Sequence, residues 1–65
     1  MKKPTPYEET VIARWKERVK DKVREIDPDD QFDWYDLCMG FYLGNGFEPE
    51  RARELVGWTT QRGYL

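Results

Sequence analysis

Three of the four prolines divide this 65-residue chain into segments whose apolar residues have helical spacing. Proline is favoured at the first position of a helix, and the residue before a proline is disfavoured in the helical region. Pro6 and Pro49 therefore predict helix starts, and Pro28 predicts a helix end. We predict an all-α fold, a single-domain compact three-helix bundle with short loops, and helices at about residues 6–26, 33–43 and 49–62.

The first predicted helix is amphipathic. Thr5 can cap it, and Glu8 lies three residues later, as a capping box requires. Its apolar residues recur at spacings of three and four, which predicts one buried stripe made of Val11, Ile12, Trp15, Val19, Val23 and Ile26.

The second predicted helix is apolar nearly all round, since Asp36 is its only charged residue between Trp34 and Leu43. Asp29, Asp30 and Asp33 are candidate caps, and Asp33 is the favoured one. In a three-helix bundle each helix has two neighbours, so part of this apolar surface remains uncovered. We expect the inward residues to be Trp34, Leu37, Cys38 and Phe41, and the partly exposed ones to be Met39, Leu43 and either Tyr35 or Tyr42.

The third predicted helix follows Gly44-Asn45-Gly46, a segment that tolerates a left-handed helix end. Gly63 is expected to end this helix, with Trp58 at the edge of its buried stripe. The inner residues are predicted to be Ala52, Leu55, Val56 and Thr59.

The net charge of −2 hides a strong asymmetry along the chain. Residues 1–24 hold eight bases and four acids, residues 25–50 hold eight acids and no base, and residues 51–65 hold three arginines and one glutamate. Ordinary soluble surfaces mix the two signs, so the central acidic block is the unusual feature.

Several chemistries are disfavoured by the composition. The chain has no histidine, the commonest general base and imidazole metal ligand. Cys38 falls on the predicted inner face, and a calcium loop starting at Asp27 would place Phe32 where glycine is needed. We therefore expect no enzymatic activity, no cofactor and no metal site.

Direct nucleic-acid binding is also not expected, because Glu48 and Glu50 would meet phosphates at the start of a recognition helix. The bases Lys16, Lys20 and Arg24 on the first helix keep that alternative open. No apolar run approaches the roughly 18 residues of a membrane span, and the first residues do not form a signal peptide. We expect no membrane association and a cytoplasmic location.

Two interpretations of the acidic block remain. Acids near helix N-termini are favoured by capping and by the helix dipole, which explains some of them. Alternatively, their carboxylates stand in for a phosphate backbone and bind a basic groove of a protein partner, with aromatic side chains holding that partner. The candidate partner-binding residues are Glu25, Asp27, Asp29, Asp30, Asp33, Asp36, Tyr35 and Tyr42.

In size, acidic surface and surplus aromatic residues, the chain resembles small phage-encoded inhibitors, including anti-CRISPR proteins that mimic DNA. The resemblance implies a non-enzymatic inhibitor that blocks target DNA binding by a type I surveillance complex in the host cytoplasm. The alternative is a regulatory adaptor or homodimerising interaction module that uses the aromatic second helix. The sequence leaves open whether the protein is a monomer or a homodimer.

Overall fold

The described residues form three helices. The computed structural model describes residues 2–22 and 31–65, with side chains described for residues 2–20 and 34–65. The helices are α1 (Pro6–Lys22), α2 (Gln31–Gly44) and α3 (Pro49–Gln61), and the described ranges contain no strand. The predicted all-α three-helix bundle is confirmed. Residues 23–26, which we assigned to the first helix, lie outside the described residues.

All three helices contribute to one apolar core. Trp15 of α1 lies at its centre, edge-on to Trp34 with ring centroids 6.5 Å apart and against Phe41 at 5.5 Å. The predicted inner stripe of α3 is buried, and Val19 is partly buried as part of the α1 stripe, while Val23 and Ile26 lie outside the described residues. The buried apolar residues are Val11, Ile12, Trp15, Trp34, Cys38, Tyr42, Ala52, Leu55 and Val56.

The predicted capping box begins α1. The Glu8 amide donates to Thr5 Oγ1 at 3.2 Å, and the Thr5 amide donates to Glu8 Oε1 at 2.9 Å. Two amides that the helix itself leaves unpaired are therefore satisfied.

The ends of α2 and α3 share one geometry. Gly46 and Gly63 adopt positive φ values of 95° and 76°, and the next residue's amide returns to a carbonyl five residues earlier. Phe47 donates to the Tyr42 carbonyl at 3.3 Å, and Tyr64 donates to the Thr59 carbonyl at 3.2 Å. Both are Schellman motifs, in which glycine takes the left-handed position at no steric cost.

Two expectations about α2, the inward position of Leu37 and the cap at Asp33, were wrong, and of the two tyrosines it is Tyr35 that is exposed. Tyr42 is buried because it lies one helical turn after Cys38 and shares its inward face, whereas Leu37 lies at the far edge of that face and is 39% exposed. Asp33 lies inside the first turn, because α2 begins at Gln31, and so it is not the cap.

Candidate interaction surface

The side of α2 that faces away from Cys38 carries exposed residues, with no other described residue packed over it. At 100° per residue, six residues of α2 fall within an arc of about 120° on this side, and the side chains of all but Asp33 are described. Two of them are large and apolar, Leu37 (39% exposed) and Leu43 (42% exposed). We call this surface the outer face of α2; it consists of Asp36, Leu37, Gly40, Leu43 and Gly44.

An open groove of about 410 Å³ runs along this face. Gly40 and Gly44 line it, and a Cβ atom added at either glycine would meet no atom of the described residues within 4 Å. Arg18 of α1 also lines the groove, as do Asp36 and Phe41 of α2. The backbone of α2 is therefore accessible to another molecule at Gly40.

The binding residues predicted from the sequence differ in exposure, and some of them lie outside the described residues. Tyr35 is 45% exposed and Asp36 is exposed, so both are available to a partner. Tyr42 is fully buried, and its assignment as a partner-binding residue is corrected for that reason. Asp33 lies in α2, but its side chain is not among those that the structure describes. Four further predicted residues lie entirely outside the described residues: Glu25, Asp27, Asp29 and Asp30.

The Tyr42 hydroxyl takes part in a buried hydrogen-bond chain. Thr59 donates its hydroxyl proton to the Leu55 carbonyl at 2.7 Å, so Tyr42 must donate to Thr59 Oγ1. Burial raises the pKa of Tyr42 and of the neighbouring Cys38 thiol to about 12 each. Cys38 thus remains a protonated thiol at neutral pH, and this cluster holds α2 against α3.

A polar cluster that the sequence did not reveal joins α1, α3 and the residues before α1. Arg51 donates from Nε to Glu8 Oε2 at 2.8 Å and from a terminal nitrogen to Glu8 Oε1. It also donates to the Lys2 and Lys3 carbonyls, at 3.1 and 3.2 Å. Trp58 Nε1 donates to the Lys2 carbonyl at 2.9 Å. We call these five residues the N-terminal clamp.

The electrostatics of the clamp are set by its ion pair. The hydrogen bonds from Arg51 hold the pKa of Glu8 at about 2, well below its usual value of 4.5, although burial of the carboxyl acts in the opposite direction. A second cross-bundle pair joins Arg62 to Glu9, with one nitrogen-to-oxygen distance of 2.8 Å. Two of the three arginines of residues 51–65 are therefore engaged with acids of α1.

Within residues 2–22 and 31–65, no group of three or more potential ligands is arranged to hold a metal ion. In the same part of the chain, none of the helices combines the length and the apolar character needed to span a bilayer.

Comparison with protein-family models, with curated proteins and with solved structures gives no match for this chain.

Proposed function

We propose that this protein is a non-enzymatic inhibitor that binds a basic nucleic-acid-recognition surface on a protein partner. The binding element is the acidic segment, defined as residues 25–36, together with the exposed Tyr35. The narrower form of the proposal is an anti-CRISPR protein that competes with target DNA for a type I surveillance complex.

The observation that carries the proposal is that two C-terminal arginines form ion pairs with acids of α1. Arg51 and Arg62 contact Glu8 and Glu9 of α1 across the bundle. They are therefore engaged by acids of α1, and the acidic segment contains six acids and no base of its own. A concentrated negative field attracts a basic surface over long range and speeds association.

The exposed end of the acidic segment supports the same proposal. Asp36 is exposed on α2 next to Tyr35, which is also exposed. A carboxylate can guide a basic surface into place, and an adjacent aromatic ring can stack on an arginine or bury apolar area.

The test is a competition experiment with a type I surveillance complex and a labelled target duplex. The protein is expected to lower the fraction of duplex bound, and the triple variant Asp29→Lys, Asp30→Lys, Asp36→Lys is expected to lose this effect. The matched control reverses three acids elsewhere, Glu17, Glu48 and Glu50, and is expected to keep it. Circular dichroism must show that both variants retain their helices.

Equal inhibition by the two triple variants would remove the acidic segment from the mechanism. Absence of inhibition by the natural sequence would exclude the surveillance complex as the partner. Inhibition is also expected to weaken strongly as salt is raised, because screening shortens the range of charge attraction.

The exposed leucines of the outer face of α2 favour a second candidate, an interaction module that docks through apolar contacts. Leu37 and Leu43 are both large, apolar and exposed on one helix. An adaptor of this kind would bind its partner with little dependence on salt, which separates it from the first proposal.

A further inference from the structure

The residues before α1 are held on α3 through their main chain. The Lys2 amide donates to Glu54 Oε2 at 3.2 Å, and the Lys2 carbonyl accepts from Trp58 Nε1 at 2.9 Å. Arg51 donates to the carbonyls of Lys2 and Lys3, at 3.1 and 3.2 Å. Both lysines are exposed. These hydrogen bonds therefore recognise a peptide backbone and do not use the lysine side chains.

The groups of α3 that make these contacts lie on one side of the helix. At 100° per residue, Arg51, Glu54 and Trp58 fall within an arc of about 60°. Together they offer donors for two consecutive carbonyls and an acceptor for one amide. We call these three residues the α3 peptide face, and we call residues 2–4 the strap. The proline that ends the strap disfavours helical backbone before it, so the face matches a non-helical segment.

The α3 peptide face is held in place by contacts that do not involve the strap. Arg51 donates from Nε to Glu8 Oε2 at 2.8 Å, and one of its terminal nitrogens lies 3.3 Å from Glu54 Oε2. Trp58 packs against the apolar core. These contacts join side chains of α1 and α3, so they persist when the strap is released. A site that is organised before binding loses less conformational entropy when a partner arrives.

The strap itself is held by solvent-exposed contacts. Its hydrogen bonds to α3 lie at exposed positions, and both of its lysines are exposed. Segments that bury little apolar area and whose hydrogen bonds are exposed to solvent open locally more often than the whole fold. Local opening of the strap frees the backbone-binding groups of the α3 peptide face.

The charges around the α3 peptide face favour a basic occupant. The guanidinium of Arg51 and the two carboxylates of Glu8 and Glu54 leave a net charge of −1. The segment that occupies the face in this chain carries Lys2 and Lys3 beside these groups. Such a site attracts a basic segment and repels an acidic one.

We infer that the α3 peptide face binds a non-helical basic segment of another protein, of the class Lys-Lys-Pro, and that the strap is its built-in competitor. Arg51 and Trp58 bind the carbonyls of the incoming segment, and Glu54 binds its amide. The incoming segment takes the place of the strap, so binding and strap release are one exchange. This activity goes beyond the proposed inhibition and uses none of the residues of the acidic segment.

The first experiment measures binding of a synthetic peptide by fluorescence anisotropy. The probe is acetyl-Lys-Lys-Pro-Thr with a C-terminal fluorophore, which repeats residues 2–5. Lys2→Pro removes the strap amide that donates to Glu54 and leaves α3 unchanged. This variant is expected to bind the peptide about threefold more tightly than the natural sequence, because apparent affinity rises with the fraction of molecules competent to bind. Lys2→Ala keeps the amide and is the matched control, which should bind as the natural sequence does.

The second experiment changes the α3 peptide face in the Lys2→Pro background. Trp58→Phe keeps an aromatic ring but removes the N–H donor, and it is expected to weaken peptide binding by about fivefold. Thr60→Val changes an exposed residue of the same helix outside the face and is the matched control. Equal affinities of these two variants would overturn the inference, as would absence of binding to Lys2→Pro at millimolar peptide. Circular dichroism checks that the helices persist.

The third experiment tests the charge of the occupant. The peptide acetyl-Glu-Glu-Pro-Thr has the same length and the same proline, and it is expected to bind Lys2→Pro at least about tenfold more weakly than the lysine peptide. Equal binding of the two peptides would overturn the assignment of a basic occupant.

Exchange of the strap is followed by NMR of the natural sequence labelled with nitrogen-15. Saturating unlabelled peptide should move the amide resonances of Lys2 and Lys3 towards those of an unfolded segment. The Trp15 indole, which donates to the Tyr64 carbonyl at 3.1 Å, is the internal control and should keep its position. Strap resonances that stay unchanged at saturation would overturn the exchange, because the peptide would then bind elsewhere.

The two proposals fail separately. Lys2→Pro leaves residues 25–36 unchanged, so it should still inhibit DNA binding in the competition assay. The triple lysine variant leaves the α3 peptide face unchanged, so it should still bind the peptide.

Discussion

The N-terminal clamp and the outer face of α2 lie on different sides of one small bundle and are built in opposite ways. In the clamp the buried polar side chains have hydrogen-bond partners. Arg51 donates to a carboxylate and to two carbonyls, and Trp58 donates to one of the same carbonyls. The outer face leaves two leucines exposed and places a glycine within the helix. The clamp improves the stability of the isolated chain, and the outer face lowers it.

The comparison shows that the outer face of α2 is the region that lowers the stability of the isolated chain. Small domains bury a limited fraction of their surface and have little stability to spare. No contact among the described residues requires exposed leucines or an interior glycine on this face, which points to contact with another molecule. The hydrogen bonds of the clamp, by contrast, are all formed within one chain.

The largest expected effect on the free energy of unfolding is the difference between truncating a buried leucine and truncating an exposed one. Leu55→Ala is expected to lower the free energy of unfolding by about 2 to 5 kcal/mol, because it removes a fully buried side chain and leaves a cavity. Leu37→Ala should change it by no more than about 0.5 kcal/mol in dilute solution. Urea denaturation measures both. Comparable losses would mean that the outer face is covered within the monomer.

The next effect concerns the buried hydroxyl pair. Thr59→Val is expected to destabilise the fold by about 1 to 3 kcal/mol, because the Tyr42 hydroxyl loses its acceptor in a buried site. Adding Tyr42→Phe should recover part of the loss, since both polar groups are then absent. Thr60→Val, at an exposed hydroxyl, is the control. A double variant less stable than Thr59→Val alone would contradict this account.

The clamp should respond to acid. The folded pKa of Glu8 is about 2 against a usual 4.5, so its contribution is complete above about pH 4.5 and is lost as the pH falls towards 2. Glu8→Gln is expected to cost about 1 to 2 kcal/mol at pH 7 and much less near pH 2. Denaturation at several pH values measures this, with the exposed Glu17→Gln as control. A pH-independent cost would show that the charge of Glu8 is unimportant.

The smallest effect has the opposite sign. Gly40→Ala is expected to raise the stability of the dilute protein by about 0.5 to 1 kcal/mol, because alanine favours the helix and the added methyl group meets no neighbour. Thermal unfolding would show a midpoint higher by a few degrees. Ala13→Gly, at an exposed helical position, should lower the midpoint. If Gly40→Ala lowered it too, the fold itself would require glycine there.

Features set by neighbours in sequence were predictable. The Thr5 and Glu8 capping box follows from a spacing of three residues, and the turns at Gly46 and Gly63 follow from the steric freedom of glycine. These interactions form within one helical turn, so the local sequence specifies them.

Features that depend on residues far apart in the sequence were not predictable. Glu8 and Arg51 are 43 positions apart, and helical spacing cannot pair residues on two different helices. Tyr42 was assigned to the surface because an apolar helix gives no polar side to orient it. Its burial depends on Thr59 offering an acceptor from α3. The exposure of Tyr35 and Asp36 follows from their positions off the inward face of α2.

The clamp also has a practical consequence for anyone who handles this protein. It fixes Lys2 against α3, while the Trp15 indole donates to the Tyr64 carbonyl at 3.1 Å and holds the last residues against α1. Fluorophores, affinity tags or surface linkers attached before Lys2 or after Leu65 would therefore emerge from the α1 and α3 side. The outer face of α2 would stay unobstructed in an immobilised sample, so either attachment point suits a biosensor measurement of its partners.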